Sequence, residues 1–270
     1  MDDELRPADE VAATSTRGRG WLDGFRFLLL LALAAWALRS FVVAPFNIPT
    51  GSMMPTMLPG DYLFVSKWPY GYSRFSFPAQ FPSFEGRVLQ RVPERGDVVI
   101  FKRPDAEAAD WVKRVIGLPG DQIMLRQGKM FINGRAVVRD SRGIAALPAS
   151  RNIPCGIDGT STCRYPAYQE TLPNGRSYMT FDRNQSAPGD NFGPVAVPAG
   201  HVFLLGDNRD DSADSRFSLA DGGIGMVPLD RLVGRAAFAF WSTDGSADYW
   251  KPWTWFSALR GDRVGQEFQP

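Results

Sequence analysis

The stretch Trp111-Val112-Lys113-Arg114-Val115-Ile116-Gly117-Leu118-Pro119-Gly120-Asp121 reads as a β-strand that stops at a turn. Aromatic and β-branched residues dominate its first half, and Gly117, Pro119 and Gly120 punctuate its end. The two-residue period of a strand puts Lys113 on the face that carries Trp111 and Val115 and turns Arg114 the other way. Similar runs recur on both sides, at Tyr62 to Val65, Asp97 to Phe101, Gln122 to Leu125, Met130 to Ile132, Val202 to Leu205 and Leu232 to Phe240. Asn133-Gly134 is a strong hairpin signal, and Gln127-Gly128 marks another turn before it. The expected fold is mainly β, with an antiparallel core over 46–122 and 203–249. Between those segments the spacing loosens and Pro, Gly and Asn accumulate, so 123–202 reads as an inserted β-rich lobe. No internal repeat is evident.

The chain has 270 residues, 44% hydrophobic and 22% charged, enough for a sizeable core plus an anchor. Lys+Arg 30 against Asp+Glu 29 leaves a net charge of +1, so no global basic field argues for a nucleic-acid partner. One histidine, His201, and two cysteines, Cys155 and Cys163, are too few for an ordinary zinc site. His201 lies in the apolar run Ala199-Gly200-His201-Val202-Phe203-Leu204-Leu205 and reads as a structural residue, which weakens a Ser-His-Asp triad.

Residues 1–20 are polar, without apolar periodicity, and read as a tail. Residues 21–45 read as a transmembrane anchor. From Phe27 to Ala44 only Arg39 and Ser40 interrupt the apolar run, and these 18 residues as a helix span about 27 Å against a hydrocarbon core of roughly 30 Å. Arg17, Arg19 and Arg26 precede it with Asp23 as the nearby acid, which places the N-terminus in the cytoplasm and everything after Pro45 outside. A cleavable leader is the competing reading. Its small-x-small triplet, Ala32-Leu33-Ala34, lies inside the apolar run rather than after it, so an uncleaved anchor is favoured. An outside location suits a bridge between Cys155 and Cys163, which flank a Gly-containing loop, the alternative being two unrelated thiols.

The C-terminal segment 250–270 contains Trp250, Trp253, Trp255 and Phe256, followed by Arg260 and Arg263. Aromatics with nearby cations suit a membrane interface, and an aromatic core stripe is the equally weighted alternative.

The stretch Phe46-Asn47-Ile48-Pro49-Thr50-Gly51-Ser52-Met53-Met54-Pro55-Thr56 begins one residue beyond Pro45. A serine after glycine can present its hydroxyl with little crowding, although Thr-Gly-Ser alone is more often a turn. A nucleophilic serine needs a base, and with His201 discounted the candidates are lysines that a dry site keeps neutral. Lys113, on an apolar face, is the best of them, although a solvated strand lysine is the commoner case. The carboxylate-rich stretch Gly206-Asp207-Asn208-Arg209-Asp210-Asp211-Ser212-Ala213-Asp214-Ser215-Arg216 fails the EF-hand spacing, with Ser215 at the sixth position and Asp221 at the twelfth from Asp210.

Together with Arg95-Gly96-Asp97-Val98-Val99, these stretches reproduce four boxes in order, and the chain closely resembles the bacterial type I signal peptidases from the anchor to about Trp241. The resemblance implies a membrane-bound serine endopeptidase that removes signal peptides from exported preproteins at small-x-small sites, as a monomer in the bacterial cytoplasmic membrane, without metal or cofactor. It makes Ser52 the nucleophile and Lys113 the general base, with the Ser52 N–H and the Thr50 hydroxyl as oxyanion hole. Ser212 would hold the Lys113 amine, and Asp207, Arg209, Asp214 and Arg216 would be scaffold. Phe46, Ile48 and Val112 fall at substrate-pocket positions. Asp211 replaces a common asparagine and is expected to face solvent, since a carboxylate turned inward would raise the Lys113 pKa. A peptidase dedicated to one pilus or conjugation substrate, or a non-catalytic domain that binds extended peptides, are the alternative readings.

Overall fold

An apolar helix precedes a β-rich body in the computed structural model, which describes residues 16–154, 161–248 and 250–269, with side chains from residue 20 onward. Helix α1, Thr16–Ala37, continues through a π-helical turn, Leu38–Val42. Gly20–Val42 has a mean hydropathy of 1.8 and only 6% of its most apolar window is buried against the protein. By length and composition it can cross a membrane, spanning about 34 Å as a helix. Cys155 lies outside the described residues, as does most of the expected tail. Cys163 is buried and is not a free thiol.

The helix stops short of the expected Ala44, because strand β1, Val43–Asn47, starts there. Val42 and Val43 are β-branched, and Pro45 excludes Ala44 from helical angles. The strand then pairs along its length with β2, Asp61–Ser66, from Val43 opposite Ser66 to Asn47 opposite Tyr62.

A two-residue pair follows, β3 Tyr72–Ser73 with β4 Arg87–Val88, then β5 Val98–Arg103 and β6 Ala106–Gly117. The lobe contributes β7 Gln122–Arg126, β8 Lys129–Ile132, β9 Arg135–Ala136, β10 Val138–Pro148, β11 Thr162–Thr171, β12 Ser177–Phe181 and β13 Phe192–Ala196. The chain returns through β14 His201–Leu205, β15 Val227–Pro228 and β16 Leu232–Ser242. Seven strands form one antiparallel sheet in the order β1-β2-β16-β5-β6-β14-β15. Separate sheets join β10-β11-β12 and β13-β7-β8-β9.

Both faces of the large sheet are covered. Val98 and Ile100 of β5 join Ile48, Met53, Leu63 and Val112 in one core, while Val99 and Phe101 join Val115, Val202 and Leu204 in another. A third core mixes lobe residues Ile123, Leu125 and Ile132 with Ile116 of β6 and Phe203 of β14, so the lobe packs directly on the strand that carries Lys113. Both sequence-read turns have positive φ at their two central residues, Gln127 and Gly128 at 48° and 72°, Asn133 and Gly134 at 53° and 75°. That is the primed geometry matching the strand twist.

The C-terminal aromatics are not a core stripe. In and beside helix α2, Trp253–Ser257, Trp250, Trp253 and Phe256 are 91%, 70% and 78% exposed. The segment is fastened instead through Asp61, wholly buried at the start of β2. Its carboxylate accepts hydrogen bonds from the Leu58 N–H at 2.8 Å, the Ser242 hydroxyl at 2.6 Å and Arg263 Nε and Nη2 at 2.9 and 2.6 Å. Removing it leaves a buried guanidinium without its counter-charge. Asp61→Ala is therefore expected to destabilise the fold by roughly 3–5 kcal/mol, seen as a lower thermal midpoint for the detergent-solubilised chain, whereas truncating the exposed Trp250 leaves that midpoint unchanged.

Candidate active site

Two backbone elements bring the candidate residues together. The turn after β1 carries Ser52 to a position 8% exposed, and β6 delivers Lys113, 2% exposed, from beneath. Lys113 Nζ donates to Ser52 Oγ at 2.9 Å and to the Val112 carbonyl at 3.1 Å, and lies 5.2 Å from the centre of the Trp111 ring. Burial lowers the Lys113 pKa to about 8. The carboxylates of Asp214 and Asp207 oppose that fall and Arg216 reinforces it. Asp214 is itself held below the ordinary carboxylate range: burial pushes it up, but the Arg216 charge, hydrogen bonds from Arg216 and the Gly206 N–H prevail. No carboxylate touches the amine, so burial moves its balance toward the neutral form relative to a solvated lysine.

The turn is held by the 206–216 segment. Asn208 donates its backbone N–H to the Ser52 carbonyl and its Nδ2 to the Gly51 carbonyl, both at 3.0 Å. Asp207 accepts both Nε and Nη2 of Arg114 at 2.8 and 2.7 Å, and Thr56 donates to the same carboxylate. Gly206 permits this contact: a Cβ there would stand 2.2 Å from Ser212 Oγ and 2.6 Å from the Ser52 carbonyl oxygen. Asn208 and Arg114 carry no nucleophile or titratable base, and the Thr56 hydroxyl is engaged by Asp207, so residue type alone did not single them out. The signal available for Asn208 was its place inside the Gly206–Arg216 box.

The other expected residues divide. Asp214 pairs with Arg216 at 2.8 Å and Arg209 pairs with Glu170, all buried. Ser212 is buried, but its hydroxyl has no hydrogen-bond partner, so the structure does not bring it onto the Lys113 amine. Asp211 is exposed, bridged to Arg183, and accepts from Asn208 Nδ2 at 3.3 Å. His201 bonds the Ala199 carbonyl at 2.9 Å in β14 and does not touch Ser52.

A cleft of about 390 Å³ opens on Ser52. Phe46 to Thr50 line one side and Ala109 to Val112 the other, so Phe46, Ile48 and Val112 all face this space, with Thr50 exposed on its rim. β1 is the edge strand of the large sheet, and β6 pairs with β14 only from Arg114 onward. Both walls of the cleft thus carry unpaired strand edge. Among the described residues the Ser52 N–H donates to no protein acceptor.

A second buried lysine sharpens the assignment. Lys67, 4% exposed, is also lowered to about 8 by burial, against the pull of Asp110. Its Nζ donates to the Ser76 carbonyl at 3.1 Å and lies 5.7 Å from the Phe46 ring centre, with no hydrogen bond to a hydroxyl among the described residues. A low pKa alone does not distinguish the two lysines, and of the two only Lys113 contacts Ser52 among the described residues.

Comparison with known proteins gives one family. A family model described as signal peptidase, peptidase S26, matches residues 21–241. A signal peptidase I of Rickettsia typhi is 40% identical over 230 residues, covering 81% of this chain and 78% of the relative. A signal peptidase I of Rickettsia canadensis is 37% identical over 239 residues, 84% of this chain and 81% of the relative. A crystal structure of a signal peptidase I from Enterococcus faecalis overlaps at TM-score 0.29 and 24% identity, covering 54% of this chain and 97% of that one.

Burying Lys113 has a cost to folding whose sign follows from its depressed pKa. The unfolded lysine holds its proton up to the ordinary 10.5, whereas the folded one loses it near 8. The penalty is therefore full below about 8 and fades as pH rises toward 10.5. Lys113→Met, of similar shape and uncharged, is expected to be more stable than wild type at pH 7 by up to roughly 3 kcal/mol. Thermal unfolding of both proteins between pH 7 and pH 10.5 checks this: the gap narrows as pH rises.

Proposed function

The chain belongs to the signal peptidase family, peptidase S26, and on that premise we propose that Ser52 and Lys113 form its catalytic dyad in the removal of signal peptides from membrane-inserted preproteins. The observation that carries this reading is the 2.9 Å contact, at the floor of a cleft, between a buried lysine amine of depressed pKa and the only hydroxyl it bonds among the described residues. The neutral amine takes the Ser52 proton as Oγ attacks the scissile carbonyl. The Ser52 N–H, free of other acceptors, and the Thr50 hydroxyl stabilise the oxyanion. Collapse expels the mature N-terminus, to which Lys113 returns the proton, and leaves the signal peptide as an ester on Ser52. Water, deprotonated by the same amine, then cleaves that ester.

The substrate binds as an extended strand between the free edges of β1 and β6. Alternate side chains of such a strand face the same wall. Phe46, Ile48 and Val112 close that wall, which supports small residues at the first and third positions before the cut. Ser212 is left outside this dyad, since its hydroxyl is without a partner.

The anchor reading rests on Gly20–Val42, and the arginines before it support a cytoplasmic N-terminus with the β body on the outer side of the bacterial cytoplasmic membrane. The exposed Trp250, Trp253 and Phe256 support contact between the C-terminal segment and lipid. We assign the protein as a monomer.

The test is cleavage of a preprotein carrying an Ala-x-Ala site by the detergent-solubilised chain. Ser52→Ala and Lys113→Met are each expected to lose activity by roughly 10³-fold or more. Because the base works deprotonated and its pKa is about 8, wild-type kcat/KM rises with pH along an acid limb and levels off above about 8. Activity that survives Lys113→Met, or that is flat across this limb, removes lysine as the base.

A further inference from the structure

Behind the Ser52 cleft, a layer of buried ionised side chains joins the lobe to the 206–216 segment. Four arginines are each matched to a carboxylate there: Arg114 to Asp207, Arg216 to Asp214, Arg209 to Glu170 and Arg139 to Asp182. Two more aspartates in this layer, Asp190 and Asp210, take part in no ion pair among the described residues. They cluster with Asp182, and the three residues offer carboxylate oxygens that lie within 4.8 Å of one another. Six carboxylates against four guanidiniums leave an excess of two negative charges.

The protein's own donors reach only one oxygen of each residue. Asp182 Oδ2 takes Arg139. Asp190 Oδ2 takes the Ala187 N–H at 2.8 Å, and Asp210 Oδ2 takes the N–H groups of Arg183 and Asn184 at 2.7 and 2.9 Å. All three Oδ1 atoms are left without a donor. Asp182 Oδ1 and Asp210 Oδ1 are fully buried in that state, and the Asp182 side chain is 0% exposed. A buried carboxylate oxygen without a partner is costly, and two together beside the Asp190 carboxylate are costlier still, because each raises the potential at the others.

We propose that Asp182, Asp190 and Asp210 form a binding site for one hard divalent cation of calcium size. The donors are carboxylate oxygens only, the set that calcium prefers, and their spacing suits ligand distances of roughly 2.3–2.6 Å. Two positive charges cancel the excess, and one ion satisfies the three open oxygens at once. The cation ties the end of β12 and the 182–192 loop to the segment that carries Asn208, which in turn holds the Ser52 turn. Its role is structural, and it takes no part in the proposed chemistry. The sequence conceals the site because its ligands are spread over 29 residues of chain, with no short spacing to mark them.

The experiment uses the full chain in detergent, stripped with chelator and freed of it. Calcium is titrated calorimetrically, and thermal unfolding is followed at increasing calcium. One Ca²⁺ per chain is expected, with a thermal midpoint that climbs with calcium concentration. Asp190→Asn and Asp182→Asn should each weaken binding by roughly tenfold or more. Asp190→Asn keeps an oxygen for the Ala187 N–H, so a native near-ultraviolet spectrum is expected, and this variant decides the matter if Asp182→Asn fails to fold. No calcium uptake at millimolar concentration, or uptake unaltered in folded Asp190→Asn, overturns the proposal.

Discussion

Two consecutive cations on one buried strand, Lys113 and Arg114, impose the constraint around which the site is arranged. Strand alternation sends them to opposite faces of β6, and both faces are covered, so neither side chain reaches bulk water. A guanidinium cannot shed its proton in a protein, so Arg114 requires a full counter-charge. It has one in Asp207, bound through two nitrogens, with the Gly96 carbonyl on a third. An amine can shed its proton, and Lys113 meets a hydroxyl and a carbonyl instead of a carboxylate. The same burial therefore has opposite outcomes one residue apart: a permanent ion pair on one face, and an amine poised near neutrality on the other.

The ion pair organises the Ser52 turn from behind. Asp207, bound to Arg114, also receives Thr56, which follows Ser52 in the same turn, and its neighbour Asn208 clamps the Gly51 and Ser52 carbonyls. The turn is thus held at its two ends by one short segment, whose own position is set by Arg114 and by the parallel bridge from Phe181 to Asn208. Gly206 is required at the closest approach because any Cβ would displace the Ser52 carbonyl. Distance between a hydroxyl and an amine governs proton transfer steeply, so this rigid backing, rather than the Ser52 and Lys113 side chains by themselves, fixes the 2.9 Å contact.

The parts of this arrangement that were legible in the sequence are those with a local period or a local chemistry. The β2, β5, β6 and β16 strands showed as apolar runs, whereas Ser52 and Lys113 were singled out by the family resemblance, the residues alone reading as a turn and a strand lysine on an apolar face. β10 and β11 were missed for physical reasons. β10 is exposed on both faces for most of its length, so it has no alternation, and β11 contains Pro166, which sits beside a register shift between Ser141 and Ile144. β1 was absorbed into the anchor because Val42, Val43 and Ala44 are as apolar as the helix they follow. Ser212 keeps its place in the box and is buried, and among the described residues its hydroxyl has no hydrogen-bond partner.

The proximity of anchor and cleft gives the remaining step. β1 begins directly after the π-helical turn, and Ser52 lies ten residues beyond Val42, so Ser52 is at most about 36 Å of chain from the end of the helix. An exposed edge such as that of β1 is ordinarily a liability that proteins cover or charge. Here it is left open beside a cleft of about 390 Å³ whose far wall is a second open edge. A peptide able to occupy it must be extended and must carry small side chains where Phe46, Ile48 and Val112 close the wall. A signal peptide meets a further condition on the proposed reading: its apolar stretch stays in the bilayer, which confines the scissile bond to a shell near the membrane surface. A short tether places the open edge in that same shell. Selectivity then arises from the product of two weak filters, small residues at two positions and confinement near the bilayer, neither of which demands a deep pocket.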